Sequence, residues 1–520
     1  MVDGLSPSAI EVSQVNTRSY SNSSVSSTNN IFQDVGHVSN SVNIQVNAGV
    51  YNEAHQTSSA KGIKVLSKNI ASAAIHNSSE RGDAPKCHEG TRVAVLENIT
   101  QWINDSGEDT QKLILWVSGP AGSGKTAIMG SLADKCQEEG RLAASFFFSS
   151  PSKSSHAGTK HRFVLTLVYQ IQQHASLKGH LGQEVASTIV EDPSILGKHL
   201  KEQMEVLLLR PLRDCRGRYD VSVFPKIIII DGLDECEANQ DQGSSHDEHQ
   251  GPQLTRQRDQ EEILSCLLQA ATDPAFPFKI IIASRPERTI RNFLLNGPIA
   301  DPSLISHRFL GDKWDPSKDI DRFLLSQFRQ IRREYPHLRS PVHWPGEAII
   351  ARLVKAASGQ FAYAQTVIRF VRTPSKPPQV QLEYVLGTRC DPGVAPLEYL
   401  DALYIKILNS TPNPALTFQW LLAYRWFQRK TGGRTPRESA TAWFFARFCE
   451  TMGGEADFVF GDLAALVRIP DHSDVDSQYD FYHKDFLNFL DDPRRSRAFR
   501  SHTGVEMSPR SGLSIALCEA

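Results

Sequence analysis

The sequence is poor in several things, and each shortage excludes a class of protein. It holds eight cysteines in 520 residues, scattered, with no Cys-x-x-Cys pair and no His/Cys ligand cluster. That spread argues against both a disulfide scaffold and a structural zinc site. Charge of one sign is missing too: 56 Lys+Arg against 58 Asp+Glu leaves −2, without the basic excess of a nucleic-acid-binding domain. Long apolar runs are absent, since Leu113–Val117 and Ile227–Ile230 fall far short of the roughly 20 residues a membrane span needs. The opening Met-Val-Asp-Gly-Leu-Ser has no basic region leading into an apolar one, so no secretory signal is read there. No repeat of about 20–50 residues recurs. What these shortages leave is a soluble cytoplasmic protein with no nucleic-acid partner, long enough for roughly two to four domains.

Apolar residues make up only 40% of the chain. Much of that shortfall lies in residues 1–85, which read as a disordered polar tail because such a composition cannot offset the entropy of ordering. Within it, Val38-Ser-Asn-Ser-Val42-Asn-Ile44-Gln-Val46 alternates apolar and polar in strand fashion. Residues 86–112 form a lead-in segment whose Val93, Leu96, Ile99, Trp102 and Ile103 fall at helical spacing. From 113 to 300 apolar strands alternate with helical stretches, the pattern of an α/β domain with a parallel sheet flanked by helices. The polar run Glu237–Asp259 interrupts it as a solvated loop. Strands then become scarce. Residues 301–375 read as a helical module, with one helix over Asp319–Arg332 and two around Gly359. Residues 376–500 continue in helices and include an aromatic-rich one over Tyr479–Leu490; 501–520 are a second tail.

The chemistry gathers at three strand ends. The strand Leu113-Ile-Leu-Trp-Val-Ser runs into Gly119, Pro120, Ala121, Gly122, Ser123, Gly124, Lys125 and Thr126, with a good helix former behind. This is G-x-x-x-x-G-K-[ST] in the strand–loop–helix setting that gives it meaning as a phosphate-binding loop. Glycines let consecutive N–H groups wrap the phosphates, and the helix start adds positive potential. Lys125 offers a cation to the β/γ oxygens, and Thr126 a hydroxyl to Mg²⁺. A second strand, Lys226-Ile-Ile-Ile-Ile-Asp231, ends in carboxylates, placing Asp231 for Mg²⁺ and Asp234 or Glu235 to orient a water. A third, Phe278-Lys-Ile-Ile-Ile-Ala-Ser, ends at Arg285, suited by its planar fork to a γ-phosphate. No Asn-Lys-x-Asp guanine signature occurs, which favours adenine. The catalytic candidates are therefore Lys125, Asp234, Glu235 and Arg285, with Thr126 and Asp231 as metal ligands.

Together, Gly119–Thr126, Asp231-Gly-Leu-Asp-Glu235 and Ala283-Ser-Arg-Pro-Glu287 resemble the NACHT family of signal-transducing (STAND) NTPases, in the fungal form often classed as nephrocystin-3-like. Cys87-His-Glu-Gly-Thr-Arg92 is similar to that group's lead-in segment. Gly359-Gln-Phe-Ala-Tyr-Ala364 and Leu400-Asp-Ala-Leu-Tyr404 resemble its helical region, and Phe481-Tyr-His483-Lys-Asp-Phe486 its winged-helix region. The resemblance runs from about 86 to 500. It implies an ATP/ADP switch with slow Mg²⁺-dependent hydrolysis, nucleotide-dependent self-association or association with related switch proteins, and a role in fungal non-self recognition or incompatibility signalling. It places His483 near the ADP β-phosphate and Arg92 against the nucleotide.

The chain departs from that family in lacking a repeat array after the winged helix and an effector domain before the NTPase. This leaves a reduced switch, a regulator of longer relatives, or a truncated gene as readings. A non-hydrolysing nucleotide-bound scaffold is the main alternative, and a small-molecule kinase a weaker one.

Overall fold

The computed structural model describes residues 59–500, apart from 83, 105–111, 149–157, 180, 216–222, 237–251, 297–302, 312–313, 340–343, 375, 388–395, 432–440, 451, 471–473 and 498–499. The alternating stretch at 38–46 and the tail 501–520 lie outside the described residues.

The apolar runs form strands because each can be buried on both faces. β1 (Ile114–Ser118), β2 (Leu142–Phe147), β3 (Ile227–Asp231) and β4 (Lys279–Ser284) join β5 (Ile305–Phe309) in one parallel sheet of order β2-β3-β4-β1-β5. Side chains alternate along β1, β3 and β4, whereas β2 shifts register between Leu142 and Ala144. Trp116, Ile230 and Ile282 enter the core on one face, with α4 (Phe163–Ile171), α5 (Leu181–Glu191) and much of α6 (Pro252–Thr272). Val117, Ile229 and Ile281 enter the other, under α2 (Val93–Ile103) and α3 (Lys125–Glu138). Register brings the tips level: Ser118 pairs with Ser284 and Asp231 with Ala283, so three strands end on one edge.

Three sequence expectations are corrected. The sheet does not end by residue 300: β5 lies beyond it, pairing with β1 through Ile305-Ser-His-Arg-Phe. That strand hid because it is a polar edge strand, buried only at its first residues. The polar tail does not extend to 85. A helix, α1 (59–68), is followed by short turns whose Ala71, Ala73 and Ala74 pack with Leu66 into the sheet's core. Small residues bury there through backbone proximity, so no periodic apolar stripe announces them. Finally, the solvated loop expected to Asp259 becomes helix by Pro252.

Beyond the sheet, α7 (Ser317–Glu334) buries Ile320, Phe323, Leu324, Phe328 and Ile331 as its spacing predicts. α8 (Glu347–Ala357) and α9 (Phe361–Arg372) flank Gly359, whose φ of 82° is left-handed. α10 (Pro378–Leu386), α11 (Pro396–Asn409), α12 (Pro414–Thr431), α13 (Ala442–Cys449) and α14 (Glu455–Phe460) follow. One apolar core runs through all of them, so the expected boundary near 375 does not divide two cores. A two-residue antiparallel ribbon, β6 (Val467–Arg468) with β7 (Asp480–Phe481), precedes α15 (Lys484–Asp491). The aromatic-rich helix thus starts at Lys484, because Asp480 and Phe481 pair in the ribbon. Its Phe486, Leu487, Phe489 and Leu490 are buried, each worth about 1.5–3 kcal/mol of transfer energy. No described helix is long and apolar enough to cross a membrane.

Candidate functional site

The loop between β1 and α3 is built around left-handed backbone at Gly122 (φ 71°) and Gly124 (φ 87°), angles closed to most side chains. It opens the N-terminus of a 14-residue helix whose cap residue, Gly124, offers no side chain to the first-turn N–H groups. Arg92 braces the loop from behind. Its buried guanidinium donates to Ser123 O at 2.7 Å and Trp314 O at 3.3 Å, while its own backbone N–H donates to Asp319 at 3.0 Å. Arg92 lines a cavity together with Lys125, but its two terminal nitrogens are engaged by protein carbonyls.

Lys125 folds back over its own loop, donating to Gly119 O and Pro120 O at 2.9 Å each. Burial lowers its pKa, against which Asp234 and Asp231 act. Thr126 and Asp231, the two residues expected to hold a metal, line the same cavity, and the Thr126 hydroxyl acts to lower the Asp231 pKa. Asp231 is buried, which pushes its carboxyl up to about 6, while Thr126, Arg81 and Lys125 pull the other way. Among the described residues no three of His, Cys, Asp and Glu group as a metal cluster.

The neighbouring acids divide. Asp234 is buried and tied to β4: its Oδ1 accepts from the Arg285 backbone N–H at 2.9 Å, and its Oδ2 lies 3.3 Å from Arg285 Nε. Glu235 instead faces the C-terminal module, with Lys484 Nζ at 3.8 Å. Its carboxyl is pushed up to about 7 by burial. Arg285 reaches across as well, one terminal nitrogen lying 3.3 Å from Asp485. Beside them His483 Nε2 is 3.3 Å from Arg369, whose guanidinium lies 3.7 Å over the Tyr482 ring. Burial, and secondarily Arg369, holds the His483 imidazole down to about 3, so it is neutral near pH 7.

A cavity of about 300 Å³ joins these groups; Lys125, Asp231, Glu235, Arg285 and His483 all line it. A larger open groove of about 1310 Å³ runs behind the loop along α7 and α8, touching Pro120 and Ser123 but none of the acids. The titratable residues converge on the smaller cavity, which is the candidate site. Its volume lies at the lower end of small-molecule sites.

Sequence reasoning missed Arg81, Arg369, Lys484 and Asp485, which also line the cavity. Lys484 and Asp485 stood beside His483 in a recognised stretch, but a Lys-Asp pair at a helix start has no distinctive spacing. Arg81 lay within the supposed tail.

Residues 90–285 match the family model Nephrocystin 3, N-terminal. No curated protein matches the chain. The nephrocystin-3-like segment covers somewhat more than a third of the sequence, from the turn before α2 to Arg285. It therefore contains the glycine loop and the three acids. β5, Arg81 and the C-terminal wall of the cavity fall outside it.

Proposed function

We propose that the cavity is a nucleotide site and that the chain is an ATP/ADP-binding switch of the NACHT class, with slow Mg²⁺-dependent hydrolysis. One observation carries the reading. Lys125, Thr126 and Asp231 line one cavity at the uncapped head of α3, and Glu235–Lys484 and Arg285–Asp485 close it from the C-terminal side. The donor set fits a polyphosphate with a hard divalent ion: one ammonium, free backbone N–H groups, a hydroxyl and a carboxylate. Bound Mg²⁺ supplies charge neutralisation at the phosphates.

On this reading Lys125 exchanges its two loop carbonyls for the β/γ oxygens, and Thr126 with Asp231 holds the metal. Glu235 accepts a proton from the attacking water once Lys484 withdraws; Asp234 fixes Arg285, which senses the terminal phosphate. His483 lies toward the diphosphate. The ribbon β6–β7 with α15 is a winged-helix-like element that docks in the ADP state and leaves in the ATP state, freeing surface for self-association or for related switch proteins. Light scattering on size-exclusion eluates tests this. The account expects a change in size or assembly between ADP and a non-hydrolysable ATP analogue, with slow phosphate release; unchanged elution with no release contradicts it.

A second reading, a nucleotide-bound scaffold without hydrolysis, draws on the Glu235–Lys484 contact and on a Glu235 carboxyl that tends to hold its proton. Stoichiometric bound ADP without turnover would favour it.

A further inference from the structure

The cations around the cavity are nearly all engaged by protein. Lys125 holds two carbonyls, Arg92 holds Ser123 and Trp314, Arg285 holds Asp234 and Asp485, and Lys86 holds Asp134. Arg81 differs. Its Nε, like that of Arg92, is buried without a hydrogen-bond partner, but among the described residues none accepts from its terminal nitrogens either, and its guanidinium lies 4.1 Å over the Phe147 ring. A ring against the guanidinium face leaves the N–H edges as the donors, and Arg81 lines the cavity. Arg81 is half-buried, and leaving its buried Nε unpaired costs on the order of 1–3 kcal/mol, which an anion in the cavity would offset.

The segment that carries Arg81 is held in place. The Ala71 N–H donates to Thr166 Oγ1 at 2.9 Å, the His76 N–H donates to Ser145 Oγ at 3.1 Å, and Arg162 donates to Ile70 O at 3.0 Å. These bonds fasten residues 70–76, just ahead of the turn Ser79–Arg81, to β2 and the start of α4. The position is therefore preorganised. Arg81 stands on the β2 side, within electrostatic reach of Asp231 and Glu235, which raise its pKa against the lowering by burial. The acids at that end of β3 are those assigned to the metal and the attacking water, so an anion meeting Arg81 there is the terminal phosphate rather than the base or ribose.

We infer that Arg81, supplied by the segment ahead of the sheet, contacts the terminal phosphate of a bound nucleoside triphosphate and makes the site favour triphosphate over diphosphate. The inference rests on the nucleotide reading of the cavity. It assigns to residues 70–82 a part in the site that a purely structural brace would not have. A brace would stabilise the fold without telling ATP from ADP.

The test is calorimetric titration of the full chain with MgADP and with a non-hydrolysable Mg-ATP analogue, on wild type, Arg81→Ala, Arg81→Lys and Lys125→Ala. Arg81→Ala is expected to weaken the triphosphate analogue about tenfold or more, the range of a charged hydrogen bond, while ADP changes by less than about threefold. Lys125→Ala is expected to lose both. Equal losses for the two nucleotides in Arg81→Ala, or no loss for either, would overturn the role of Arg81 and leave the nucleotide site standing. If wild type binds neither nucleotide, both readings fall. Should Arg81→Ala not fold, as read by circular dichroism, Arg81→Lys carries the test. Loss of the planar fork is then expected to shift the triphosphate/diphosphate ratio about threefold or more, and an unchanged ratio refutes the role.

Discussion

One terminal nitrogen of Arg285 stands 3.3 Å from Asp485 Oδ1, joining the end of β4 to the first turn of α15. The Asp485 oxygen is buried and makes no aligned hydrogen bond, so the contact is mainly one of charge. Arg285 keeps Asp234 when Asp485 is neutralised. Asp485→Asn is therefore expected to lower stability by about 1–3 kcal/mol rather than the full cost of an orphaned buried charge. Denaturant midpoints check it, and the same variant should release a fluorescent ADP analogue faster. Wild-type stability with a wild-type release rate would show that the pair does not hold the module in place.

Arg92 combines a left-handed backbone (φ 56°) with a buried guanidinium that braces the loop at Ser123. Arg92→Ala loses the bonds and keeps the strained angle, a loss of about 2–4 kcal/mol. Arg92→Gly loses the same bonds but relaxes the backbone, so it should retain about 1 kcal/mol more than the alanine variant. Equilibrium urea unfolding of both decides; alanine as stable as glycine would contradict the strain.

Gly122 and Gly140 share a positive φ, 71° and 67°, but differ in space. A Cβ at Gly122 would come 3.1 Å from Ala362 Cβ on α9, whereas one at Gly140 meets nothing within 4 Å. Gly140→Ala should cost only the backbone penalty, about 1–2 kcal/mol. Gly122→Ala should cost more, and should also loosen α9 against the loop in hydrogen exchange. Equal costs would mean that α9 does not press on the loop.

Much of the site was legible because its chemistry is written in contiguous residues. Gly119–Thr126 and the isoleucine run ending at Asp231 specify a loop and a buried strand without reference to anything distant. β5 was not legible because Ser306, His307 and Arg308 are polar, and only pairing with β1 makes them a strand. The docking of residues 70–82 depends on small side chains and on hydrogen bonds to Ser145 and Thr166, which lie far along the chain. The charge pairs to Lys484 and Asp485 likewise arise only when two halves of the molecule meet.

Glu235 gives a pH signature. Its folded carboxyl, raised by burial to about 7, holds a proton where the unfolded chain, near 4.5, has released it. Stability therefore falls as pH rises through that window. Glu235→Gln removes the effect and should be more stable than wild type by up to about 3 kcal/mol near pH 8, the gain fading as pH falls toward about 4. Thermal melts across that range check the sign; a gain that grows toward low pH would contradict it.

The central claim is that the head of α3 binds nucleotide phosphates through Lys125. Titration of the intact chain with MgADP in a calorimeter tests it most directly. The account predicts saturable binding near one nucleotide per chain that Lys125→Ala abolishes while circular dichroism stays unchanged. No binding by wild type, or undiminished binding by Lys125→Ala, would contradict it.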